Sequence, residues 1–181
     1  MIEVRIGRLE DASAEAVLCP VSSDLSPVSP TMSRFQQAAG TQVADHCRRL
    51  GDLPVGSAVI TAAGDLPSRF VIHAVVRSAS ENASVSTVRL ALTNGLRRLD
   101  EWGIESVAMT PLGMGAGNLD AEESAEVMLP LLVEHCRSSS RLASVVVVTE
   151  DEYQRAAFTA SALRHGAGAA GPALESPPPH R

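Results

Sequence analysis

The chain reads as a three-layer α/β fold in which a mixed, mostly parallel sheet of about six strands lies between helices. Three observations lead there. Short apolar or alternating runs recur along the sequence, with helical patterns between them. Two of the runs, Val71-Ile72-His73-Ala74-Val75-Val76 and Val145-Val146-Val147-Val148, lack polar alternation. Strands of that kind are covered on both faces. At 181 residues the chain is long enough for one domain with a substantial core.

Taken in order, residues 3–6 alternate like a strand, and 16–19, 58–62, 70–76, 106–110 and 143–149 are the other strand candidates. Residues 31–39 carry a helical pattern stopped at Gly40, after which Thr41 is placed to cap a helix over 42–50. Ser84 or Ser86 caps a helix over 88–102, where Val88, Leu92, Leu96 and Leu99 keep helical spacing and Gly103 ends it. A helix over 120–136 puts Ala125, Met128, Leu129 and Leu132 on one face, with Pro130 expected to kink or break it. The last helix covers 150–164. From Gly166 the composition shifts to Gly, Ala and Pro, ending in Pro177-Pro178-Pro179. Such a segment buries too little to offset its ordering entropy. The expected division is a domain over 1–165 and a disordered tail over 166–181.

Composition narrows the function. Apolar residues make up 45% and aromatic ones only 3%, so Val, Ala and Leu must fill the interior. No apolar run approaches the roughly 20 residues of a membrane span, and the first residues lack a signal-peptide core. A cytoplasmic protein without a membrane partner is expected. Cys19, Cys47 and Cys136 form no CxxC pair, and the histidines show no ligand spacing, so reduced thiols and no metal or other cofactor are expected. A net charge of −6 argues against binding nucleic acid through a basic surface.

The segment Pro111-Leu112-Gly113-Met114-Gly115-Ala116-Gly117-Asn118 lies between a strand candidate and a helix start. Alternating glycines there suit a backbone cradle for an anion, because glycine adopts positive φ cheaply and lets peptide N–H groups approach a ligand. A tight strand–helix turn wants the same glycines. Asp120, as an N-cap, would occupy first-turn amides that an anion might use.

With these elements in place the chain resembles the macro domain family, which binds ADP-ribose and related metabolites. Pro54-Val55-Gly56-Ser57-Ala58-Val59-Ile60-Thr61 followed by Gly64-Asp65-Leu66-Pro67-Ser68-Arg69-Phe70-Val71-Ile72-His73 is similar to the family pattern P-x-G-x-A-x-x-T…L-P-x-x-[FY]-V-I-H. Leu112-Gly113-Met114-Gly115-Ala116-Gly117 resembles its second phosphate-binding loop, and Gln37-Ala38-Ala39-Gly40 the end of its first ligand-facing helix. The resemblance implies convergence of residues 19–24 and 112–118 at the carboxyl ends of strands. It also marks departures. The acidic residue that receives the adenine amine corresponds to Arg8. The two asparagines of the N-A-A-N stretch correspond to Cys19 and Ser22, and the glycine-rich first loop to Val28-Ser29-Pro30-Thr31.

These readings make Leu112, Gly113, Met114, Gly115, Ala116, Gly117, Asn118, Cys19, Ser22, Asp24 and Arg8 the candidate ligand-binding residues, with no catalytic residue assigned. The expected function is a divergent binding module for a small phosphorylated or nucleotide-like ligand, without turnover. The alternatives are an ADP-ribosyl or O-acetyl-ADP-ribose hydrolase rebuilt on Cys19, Ser22 and Asp24, and a ligand-free protein-contact domain. Plainer readings accompany the residues. Cys19 suits a small buried hydrophobe, and a Cys19–His73 nucleophile pair would need an activating base in reach. His73 suits a satisfied core imidazole. Ser22, Ser23 and Asp24 suit turn chemistry, and Arg8 an ion pair with Glu10 or Asp11.

Overall fold

The computed structural model describes residues 1–115, 118–139 and 141–167. Six strands, β1 (Ile2–Ile6), β2 (Ala16–Ser22), β3 (Ala58–Ala62), β4 (Phe70–Arg77), β5 (Ser106–Met109) and β6 (Ser144–Thr149), form one sheet in the order β1-β6-β5-β2-β4-β3. Every neighbouring pair is parallel except β3 with β4. Five α-helices cover it: α1 (Pro30–Ala39), α2 (Thr41–Leu50), α3 (Val85–Trp102), α4 (Ala121–Ser138) and α5 (Glu152–Arg164).

The sheet separates two apolar layers. Leu18, Ile72, Met109, Val145 and Val147 pack with Leu92, Met128 and Phe158 of α3, α4 and α5. Val17, Cys19, Val71, Val75 and Val148 pack with Met32, Phe35, Val43 and Cys47 of α1 and α2. Alternate residues of β4 and β6 therefore enter different layers, which is why both sequences are apolar at nearly every position.

Local chemistry sets most boundaries. Ser84 and Asp120 each accept from a first-turn amide in a complete capping box, and Asp151 accepts from Gln154 N. Several expectations change. Thr41 is not a cap: α2 is preceded by Gly40, at φ +89°, and Thr41 is its first helical residue. An added Cβ on Gly40 would lie 2.5 Å from Asp65 Oδ2, so the α1–α2 joint is a close backbone approach. Pro130 does not break α4, which runs through it. The strand over 16–19 continues through Pro20 to Ser22. β5 pairs only with Ala16 through Leu18, so the β5 side of the ladder has ended before Pro20. A missing N–H is tolerated there as it is on an edge strand.

Gly166 and Ala167, which the sequence assigns to the tail, close α5. Gly166 N donates to Leu163 O, Ala167 N donates to Ala162 O, and Ala167 is buried. That is a Schellman ending, which ties the last carbonyls to the residues beyond the helix. The rest of the expected tail, 168–181, lies outside the described residues. Among the described residues no helix is long and apolar enough to cross a membrane.

Candidate functional site

The carboxyl ends of β2, β5 and β6 open onto a cleft of about 360 Å³, closed on one side by the start of α1. Pro20 comes from β2, Ser29, Thr31 and Met32 from α1 and its cap, Thr110, Met114 and Gly115 from the β5 loop, Glu150 from the end of β6 and Gln154 from the first turn of α5. Two wider surface grooves, about 790 Å³ along the start of α3 and about 450 Å³ along α2, gather no set of parallel strand ends. Ligands of open α/β sheets bind outside the carboxyl ends of the strands, so the smaller cleft is the candidate.

The β5 loop is built from inside the core outward. Leu112 is fully buried; its N–H donates to Met128 Sδ at 3.2 Å and its carbonyl accepts from Ser124 Oγ at 2.7 Å. Gly113, at φ +77°, is packed so closely that an added Cβ would meet Val88 Cγ2 at 2.4 Å. Leu119 N donates to Gly113 O, and Asn118 N to Gly115 O. Asn118 Oδ1 accepts from Ala83 N at 2.8 Å, which ties the loop to the segment before α3. Of the described candidates between Leu112 and Asn118, only Met114 and Gly115 line the cleft, beside Thr110 and Pro111. Gly115 is at φ +130°, and the nearest atom to an added Cβ is Asn118 Nδ2 at 3.4 Å. Leu112, Gly113 and Asn118 support the turn from behind. Ala116 and Gly117 lie outside the described residues.

The other sequence candidates do not meet in the cleft. Asp24 Oδ1 accepts from Ser26 N at 3.0 Å and from Ser26 Oγ at 2.5 Å, and these bonds hold its carboxyl below the usual range. Ser22 N donates to Ser26 O, Leu25 N donates to Ser22 O, and Leu25 adopts φ +62°. Residues 22–26 thus close on themselves as a turn, the plainer of the two sequence readings. Arg8 is exposed and makes no ion pair with Glu10 or Asp11 among the described residues. Glu10 is taken instead by Arg34 Nε at 2.6 Å.

Cys19 is buried in the layer beneath α1 and α2 and does not line the cleft. Its Sγ is 3.9 Å from His73 Nδ1, Cys47 Sγ is 3.8 Å from His73 Nε2, and Nε2 shares a 2.9 Å hydrogen bond with Thr61 Oγ1. Burial, then the neighbouring Cys47, pushes the Cys19 thiol well above its ordinary value. Burial pulls His73 down to about 4. An activated thiolate–imidazolium pair needs the opposite shifts. The cluster is a neutral imidazole among protonated thiols, and His73 is the satisfied core residue that the sequence favoured.

The chemistry of the cleft itself is distinctive. No lysine or arginine lines it, and Glu150 is the only charged lining residue among those described. Ser29, Asp120 and Asp151 each take one first-turn amide of α1, α4 and α5, those of Met32, Glu123 and Gln154. An anion there would rest on peptide N–H groups of the β5 loop. Sequence reasoning missed Thr110, Glu150 and Gln154. Thr110 was assigned to the strand, yet β5 ends at Met109, and Thr110 Oγ1 is buried in the cleft wall without a partner among the described residues. Among the described residues, no group of three or more His, Cys, Asp or Glu is arranged to hold a metal.

The profile of the Macro domain family matches residues 23–128, more than half of the chain. The chain belongs to the macro domain family. It is 36% identical over 132 residues to an uncharacterized protein of Aeropyrum pernix, covering 69% of this chain and 67% of that protein. It is 28% identical over 165 residues to an O-acetyl-ADP-ribose deacetylase of Enterobacter sp., covering 85% of this chain and 92% of the other. Against a longer uncharacterized protein of Mycobacterium tuberculosis the match spans 89% of this chain but 45% of that one. The Oceanobacillus iheyensis macrodomain solved with ADP superposes with a TM-score of 0.79 at 18% identity, covering 88% of both chains. At that identity the superposition shows the macro fold, with the mixed sheet in the expected arrangement.

Proposed function

We propose that this macro domain is a binding module for a small phosphorylated or nucleotide-like ligand related to ADP-ribose, and that it does not turn the ligand over. The observation that carries the reading is the cleft at the strand ends, with the positive-φ turn at Gly115 in its wall. Family membership supports ADP-ribose chemistry, as does the naming of relatives and solved neighbours for ADP-ribose derivatives or ADP. The absence of turnover follows from where the polar candidates sit. Cys19 is buried in the layer beneath α1 and α2, Ser26 takes the Asp24 carboxylate, and none of Cys19, Ser22 and Asp24 lines the cleft. Catalysis requires groups held in near-attack geometry on the ligand. Arg8 has five donors and no acceptor, so it cannot receive the exocyclic amine of adenine.

The expected result is weak, adenine-indifferent binding. Calorimetric titration should give a dissociation constant for ADP-ribose above roughly 100 µM, about −5.5 kcal/mol or weaker, with ADP and a non-adenine nucleoside diphosphate comparable. Incubation with O-acetyl-ADP-ribose should give no multiple turnover. Sustained release of acetate by the purified protein, lost on changing Cys19 or Asp24, would establish the hydrolase reading instead. Tight binding of ADP-ribose alone would mean that another group reads the adenine.

A further inference from the structure

The geometry points to the Thr110 hydroxyl as a direct ligand contact, a polar group that this chain holds ready in the cleft wall and leaves unsatisfied until a ligand arrives. The inference rests on the cleft being the binding site. Thr110 follows the last residue of β5 and is 8% exposed, and its Oγ1 is buried with no hydrogen-bond partner among the described residues. The same residue lines the cleft beside Gly115. Buried hydroxyls are nearly always paired, because an unmade hydrogen bond forfeits the hydration lost on burial.

The surroundings show why the fold supplies no partner. Pro111, next in the chain, has no N–H to donate. Met109 is held in register against Val147 of β6. Ser124 Oγ, which buttresses the same loop, is committed to Leu112 O. Across the cleft, the α1 cap Ser29 accepts from Met32 N, and Gln154 Oε1 accepts from Glu150 N. Among the described residues that line the cleft, Thr110 Oγ1 is the one side-chain polar atom that is both buried and without a hydrogen-bond partner.

A hydroxyl both donates and accepts, so it suits an uncharged oxygen of the ligand, such as a sugar hydroxyl. The cleft wall favours that chemistry over a second phosphate. It carries no cationic side chain among the described residues, and Glu150 repels an anion. Any phosphate is then left to the amides at Gly115, and Thr110 takes the part of the ligand that bears hydroxyls.

Thr110→Val removes the hydroxyl while keeping the branched shape, and Thr110→Ser keeps the hydroxyl. The test is a chemical-shift titration of the wild type and both variants with ADP-ribose and with ADP, alongside thermal unfolding without ligand. The expected result is that Thr110→Val unfolds at the wild-type temperature or above it and loses roughly tenfold in affinity for ADP-ribose. Thr110→Ser should stay within about twofold of the wild type, since it keeps the donor and acceptor. Equal binding by Thr110→Val and the wild type would overturn the Thr110 assignment and leave the binding-module reading standing. A lowered unfolding temperature for Thr110→Val would make the hydroxyl structural and overturn it too. A wild type that binds neither probe at millimolar concentration would remove the binding-module reading, and this inference with it.

Discussion

Gly113→Ala lowers the stability of the domain by about 2–4 kcal/mol, from the positive backbone angle and the overpacking together, while Gly115→Val costs only the strain of its backbone angle, about 1–3 kcal/mol, keeps the core intact and abolishes binding of ADP. Both glycines have positive φ and both belong to the same loop. What separates them is what a side chain would meet. At Gly113 an added Cβ collides with Val88 of the α3 core face at 2.4 Å and crowds Leu119 at 3.3 Å. At Gly115 the nearest atom is the Asn118 amide at ordinary contact distance, and the turn faces the cleft. A side chain there forces the exposed turn out of its φ, redirecting the peptide N–H groups without disturbing the core. Thermal unfolding with calorimetric titration of ADP checks both halves. A Gly115→Val protein that binds ADP as the wild type does would show that the loop is not the anion cradle.

Acidification from pH 6.5 to pH 4 should cost the domain about 3 kcal/mol through His73 alone, given that one pKa unit corresponds to 1.36 kcal/mol. In the unfolded chain this imidazole titrates near 6.5; in the fold, burial and then the charge of His46 pull it down to about 4. Between those values the unfolded state binds a proton that the folded state refuses. The stabilisation is therefore fully present above pH 6.5 and is lost as pH falls toward 4. The carboxylates that are lowered in the fold, Asp24, Glu126 and Glu152, start from ordinary values of 3.8 or 4.5, so their losses belong mainly to lower pH. Denaturant unfolding at several pH values should show this slope, and His73→Asn should flatten it whatever its own stability. A wild-type stability that stays level from pH 6.5 to 4.5 would mean that His73 accepts a proton in place, with Thr61 or a thiol rearranging around it.

Much of the fold was legible because its causes are local. The near-continuous Val run of β6 requires cover on both faces, and its residues do divide between the two layers. Ser84 and Asp120 cap α3 and α4 because a short polar side chain can satisfy a first-turn amide only a few residues away. Even the misreadings at Thr41 and Pro20 are local signals outvoted by neighbours distant in sequence. Gly40 is held against Asp65, and Pro20 lies in β2 past the point where β5 stops pairing.

The site was less legible, and Cys19, Asp24 and Thr110 show why. Cys19 aligns with an asparagine of the related pattern, but β2 turns its side chain into the layer holding His73 and Cys47, residues far away in the chain. Asp24 has the composition of a pocket residue, yet Ser26 claims its carboxylate. Thr110 looked like the end of a strand, and that its hydroxyl has no partner among the described residues is visible only when α1, the β5 loop and the end of β6 are brought together. The sequence by itself determined the class of fold, the strand and helix order and the glycine turn, all of which follow from periodicity, capping and backbone freedom within a few residues. Only the tertiary structure decided which polar groups face the cleft, because hydrogen-bond satisfaction depends on whichever partners the packing of distant segments leaves within reach.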